Sequence, residues 1–155
     1  MEQKKKNDGF DIKKVKVLRS QEGTILEIAV AVLLIIAWVV AFCFDWTTPF
    51  EFLGIHIHTM MLTFVAILMM VIAYHPQYVH FHVGRRKEYS NIRQVELAVR
   101  GTRILGVEMA LFVLMLNVLI AMSIVHLEVV AVIFVVLLIL TALFFTFLIY
   151  KARSV

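Results

Sequence analysis

The chain has 155 residues, 62% of them apolar and 17% charged, with a mean hydropathy of +0.92. That composition excludes an ordinary water-soluble domain of this size. The net charge of +4, from fifteen Lys and Arg against eleven Asp and Glu, does not indicate a nucleic-acid partner, because the basic residues are sorted along the chain rather than gathered into a groove-binding patch.

Residues 1–22 form a charged leader, in which Asp11 to Ser20 mixes Ile12, Val15 and Leu18 with lysines, as expected of a short helix at a headgroup surface. A run of about 20 apolar residues crosses the hydrocarbon core, and four such spans follow inside a domain read as 23–150. The first, Ile25 to Phe44, has Glu27 as its only charge. It is too long for a signal-peptide apolar region and lacks an A-x-A-like exit, so an uncleaved span is expected. Asp45 to Gly54 reads as a loop turning at Thr48-Pro49, with Trp46 at the interface. The lone Cys43 permits no intrachain disulfide.

The second span, Ile55 to Tyr74, ends at His75-Pro76, because Pro lacks the N–H and pushes its predecessor out of helical geometry. Val79 to Val83 alternates and would place His80 and His82 on one side if extended. Asn91 with Gln94 resembles a capping box, opening a short amphipathic helix that leads through Arg100 and Arg103 into the third span, Ile104 to Val125. A tight turn around His126 precedes the fourth span, Val129 to Tyr150, and residues 151–155 form a tail. The absence of period-2 alternation leaves helices as the spanning form. The expected architecture is an all-α four-transmembrane-helix bundle.

Seven of the basic residues precede the first span, six lie between spans two and three, and two follow the fourth. Four crossings put all of them on one side, and the positive-inside bias assigns both termini to the cytoplasmic side. Arg85, Arg86, Lys87, Arg100 and Arg103 are candidate contacts for anionic lipid headgroups on that face.

Polar residues inside the spans are the next signal. Gly106, Ala110, Asn117 and Ala121 fall within about 60° of one another at helical spacing, a small-residue stripe suited to close helix packing, with an amide able to bond across it. Glu108 lies about 200° from Gly106, so span three is expected to be central or to make an oligomeric contact. Glu27 enters span one at a similar depth. The two carboxylates are read either as groups that reach the inner interface or pair with Arg100 or Arg103, or as a proton-accepting pair.

Asp45, Glu51, His56, His58, His126 and Glu128 fall near the opposite rim. They are candidate metal ligands if three or four converge, with polar helix caps as the plainer reading and a bis-His haem as a further one. The sequence has no catalytic triad pattern, no phosphate loop and no H-E-x-x-H motif, so no enzyme activity and no cofactor are expected.

Tyr74-His75-Pro76, then Gln94-x-x-Leu97-Ala98-x-Arg100-x-x-Arg103 and a hydrophobic span, resemble the SdpI-type bacterial membrane proteins in their N-terminal module of unknown function. The resemblance implies a non-enzymatic membrane protein, in a family known for toxin immunity and signal reception. Members carry a longer outer loop between the first two spans, reduced here to Thr48 through Gly54 before His56. The expected role is accessory, regulatory or immunity-type, exerted as a homo-oligomer or with a membrane-protein partner. The alternatives are small-solute or proton transport through Glu27, Glu108 and Asn117, or metal or haem binding at the outer rim.

Overall fold

The structure, a computed structural model, describes residues 15, 20–43, 49–79, 89–122 and 127–152. Four helices, each long and apolar enough to cross a membrane, carry the fold: α1 (Gln21–Cys43), α2 (Pro49–Ala73), α3 (Ile92–Ala121) and α4 (Leu127–Lys151). There is no strand among the described residues. Only about a fifth of each span is buried within the chain itself, and side chains such as Ile35, Phe64, Ile133 and Phe147 point outward. Large apolar surface of that extent is stable only when covered by lipid or another protein.

Each helix begins before its apolar run, and α4 also ends beyond its own. α1 starts at Gln21, where the Ser20 hydroxyl accepts from the Gly23 N–H at 3.0 Å and satisfies one of the free donors of the first turn. α2 starts at Pro49, not at Ile55, so part of the expected outer loop is helical. A proline at the first helical position has no N–H to leave unpaired and a preset φ, which suits it to begin the helix. Beyond α2, a short 3-10 turn runs from Pro76 to Tyr78. The Tyr89 hydroxyl, itself buried, donates to the Val79 carbonyl at 2.7 Å and ties the start of α3 to this turn.

The segment expected to lead through Arg100 and Arg103 into the third span forms the first turns of α3, which continues unbroken for 30 residues. Asn91 caps it, its Oδ1 accepting from the Gln94 N–H at 2.9 Å. The reciprocal bond of the capping box comes from Ser90 rather than Asn91: Gln94 Oε1 accepts from the Ser90 N–H at 2.7 Å.

α3 is the hub. It packs against α1, α2 and α4, whereas α4 makes no comparable contact with α1 or α2. The α1 face that is buried runs Val30, Leu34, Ala37 and Ala41, a four-three-four spacing that makes a straight seam. Val30, Leu34 and Ala37 form one core cluster with Ala110 and Val113 of α3 and with Ala66 and Met70 of α2. At the other end of the hub, Ala73, Val95, Ala98, Val99 and Ile149 make a second cluster that joins α2, α3 and α4.

Candidate functional site

Three of the polar sets that connect the helices are built around a residue of α3 that the sequence singled out: Asn117, Arg103 and Glu108. Mid-span, Asn117 is 2% exposed. Its Nδ2 donates to the Ala37 carbonyl of α1 at 2.9 Å, and its Oδ1 accepts from the Thr59 hydroxyl of α2 at 3.0 Å. One amide thus joins three helices. The small residues beside it explain the approach: Ala110 is fully buried, Ala121 is half-buried, and a Cβ added to Gly106 would stand 2.9 Å from Met70 Cε. Nearby, Trp38 Nε1 donates to Thr63 Oγ1 at 3.2 Å, a second link between α1 and α2.

The second set lies where α1 and α3 begin. Arg103 is only 4% exposed, so it does not stand among the headgroup-facing basic residues where the sequence had placed it. Gly23 is the reason: a Cβ there would fall on the Arg103 guanidinium, and without it the cation lies flat against α1. Arg103 Nη2 is 3.5 Å from Glu27 Oε1, and its Cζ stands 5.1 Å above the Tyr74 ring. The Tyr74 hydroxyl also donates to Glu27. The opposite charge and the aromatic face offset part of the cost of taking Arg103 out of water, although its Nε and Nη2 make no hydrogen bond, and the Tyr74 hydroxyl serves Glu27. Arg100 behaves differently, since its Nε bonds Glu22 Oε1 at 2.6 Å with both side chains more than half exposed. Arg85, Arg86 and Lys87 lie outside the described residues.

Glu108 belongs to a third set, on the opposite side of α3. Its Oε1 accepts from the Thr141 hydroxyl of α4 at 2.7 Å. Glu27 and Glu108 therefore belong to separate sites. Glu27 lines a groove between α1 and α2, Glu108 lines one between α3 and α4, and Asn117 lines neither.

Sequence reasoning missed the clamp at the end of α4. Gln94, 1% exposed, donates from Nε2 to the Ile149 carbonyl at 3.0 Å, and Asn91 Nδ2 donates to the Ala152 carbonyl at 3.0 Å. These bonds satisfy carbonyls near the helix terminus that have no partner within the helix. The pair was legible as a cap for its own helix; nothing local in the sequence signals the second helix it also serves.

At the far end, His56 and His58 both lie on α2, two residues apart, a spacing that turns them away from each other. His56 packs among aromatic rings, 4.7 Å from Phe42 and 6.0 Å from Trp38 between centroids. His58 is exposed, with Nδ1 2.8 Å from the Gly54 carbonyl. Glu128 is exposed in the first turn of α4. Asp45, His126 and the Glu51 side chain lie outside the described residues, among which no group of three His, Cys, Asp or Glu is placed to hold a metal. No family model, no curated protein and no solved structure matches the chain.

Proposed function

We propose that this protein is a non-enzymatic, multi-pass component of a bacterial inner membrane, with both termini in the cytoplasm, acting in an accessory, regulatory or immunity-type role through association with other membrane components. The observation that carries this reading is the use made of the polar residues within the spans. Asn117, Glu27 with Arg103, and Glu108 each bond a neighbouring helix, and no described groove is lined by two of Glu27, Glu108 and Asn117. Such groups serve as interhelical links; a transport path needs them along one wet cavity.

Two features support association. α4 buries Phe134, Phe145 and Ile149 and turns an apolar surface including Val132, Leu140, Leu143 and Phe147 outward. The sorting of the fifteen basic residues favours a cytoplasmic face attracted to anionic lipids. The SdpI-type resemblance of residues 74–103 points to the same class of role. Purified protein in proteoliposomes with an internal pH dye tests the reading. Proton flux equal to that of protein-free vesicles is expected. Flux above that background, abolished by Glu27→Gln or Glu108→Gln, would replace the accessory role with transport.

A further inference from the structure

Between α3 and α4 lies a groove of about 610 Å³, where Ile104 and Glu108 face Leu140, Thr141, Phe144 and Leu148. Its volume falls in the range of small-molecule sites, roughly 300–1,000 Å³. Glu108 is held by one oxygen only. Oε1 takes the Thr141 hydroxyl, while Oε2 is buried and has no hydrogen-bond partner. Leu140 is 58% exposed and Phe144 57%, so the groove opens sideways toward the apolar phase.

The geometry points to a binding site for a lipophilic organic cation: an ammonium or phosphonium charge carried by an apolar body, with the Glu108 carboxylate, set beneath the groove surface, as its counter-charge. The inference is independent of the accessory role and adds a ligand to it. Three occupants compete for such a groove. A lipid acyl chain would cover the apolar walls but offers no charge or donor to Oε2, and an unmatched buried carboxylate oxygen is costly. A small inorganic cation needs several oxygen ligands, and the groove lining offers only the Glu108 carboxylate and the Thr141 hydroxyl among side-chain oxygens. A weakly hydrated organic cation needs what is present, namely one counter-charge, apolar walls and ring faces that attract positive charge.

Arg100 is the only other charged residue lining the groove. It stands about 12 Å from Glu108 along α3, from eight residues at 1.5 Å each, and its guanidinium is engaged by Glu22. The positive end of the groove is therefore its rim, and the uncompensated negative group is deeper.

Binding of radiolabelled tetraphenylphosphonium to the full chain in phosphatidylcholine nanodiscs tests the site. Saturable binding of one cation per chain is expected. Glu108→Gln should weaken it by about tenfold or more, the loss of a desolvated counter-charge, and Phe144→Ala by roughly threefold. Glu27→Gln, on the other side of the hub, should bind as wild type does. Neutral triphenylphosphine oxide should not displace the label. If Glu108→Gln fails to fold, Leu140→Trp provides the second arm, because it fills the groove from an exposed position and should abolish binding. Absence of saturable binding, equal binding by wild type and Glu108→Gln, undiminished binding in Leu140→Trp, or displacement by the neutral compound would each overturn the assignment.

Discussion

Replacement of Asn117 by Leu removes the amide that joins α1, α2 and α3 while keeping a side chain of similar volume. Two interhelical hydrogen bonds are lost, to the Ala37 carbonyl and from the Thr59 hydroxyl. Such bonds average about 0.6 kcal/mol in membrane bundles and reach about 1.7, so a loss of roughly 1–2 kcal/mol is expected. The lower part of that range applies if the Thr59 hydroxyl, 1% exposed, turns to a carbonyl of its own helix four residues back. Reversible unfolding in mixed detergent and dodecyl sulfate measures the change. Trp38 fluorescence in a Trp46→Phe background serves as reporter, because its indole touches Thr63 on the neighbouring helix. A double-mutant cycle with Thr59→Val isolates the shared bond, with coupling of about 0.6 kcal/mol expected. Unchanged or increased stability in Asn117→Leu, with zero coupling, would refute the role of this amide as a three-helix link.

Other consequences follow from the remaining contacts. Gly23→Ala should push Arg103 out of its seat and destabilise the protein by about 1–3 kcal/mol, the cost of unmatched buried polar groups, read in the same unfolding assay. Gln94→Ala should free the end of α4 at a similar cost of about 1–2 kcal/mol, seen as faster amide exchange around Ile149 with the Asn117 region unaffected. Arg100→Ala, which breaks an exposed ion pair, should change stability by less than about 1 kcal/mol; a larger loss would mean that the Glu22 contact is not solvent-screened.

The four spans were legible in the sequence, and the partners each helix meets were mostly not. Hydropathy located all four spans, and it put Glu27 and Glu108 at one level. The pairing with Arg100 or Arg103 was read, and Arg103 meets Glu27; the other partners depend on which helices flank α3 on each side, and no local pattern encodes that. Thus Glu27 turns to Tyr74 and Arg103, while Glu108 turns to Thr141. The starts of α1 and α2 were misjudged for a related reason. The apolar run marks what lies in hydrocarbon, whereas the backbone is already helical in the polar turn capped by Ser20 and from Pro49; the Asn91 start, which carries a cap signature, was legible. The small-residue stripe was readable because it repeats along one helix. The seat of Arg103 was not, since it depends on a glycine eighty positions away.

The central claim is that α3 is the hub, parallel to α1 with Asn117 level with Ala37, and that α4 is reached only through it. Cysteine pairs in a Cys43→Ser background test this in native membranes. Val30→Cys with Ala110→Cys, seven residues earlier on both helices and in one buried cluster, should form an intramolecular disulfide on oxidation. Val30→Cys with Ile139→Cys, which would bridge α1 and α4, should stay reduced. A bridge between 30 and 139, or none between 30 and 110 in folded protein, would contradict the arrangement.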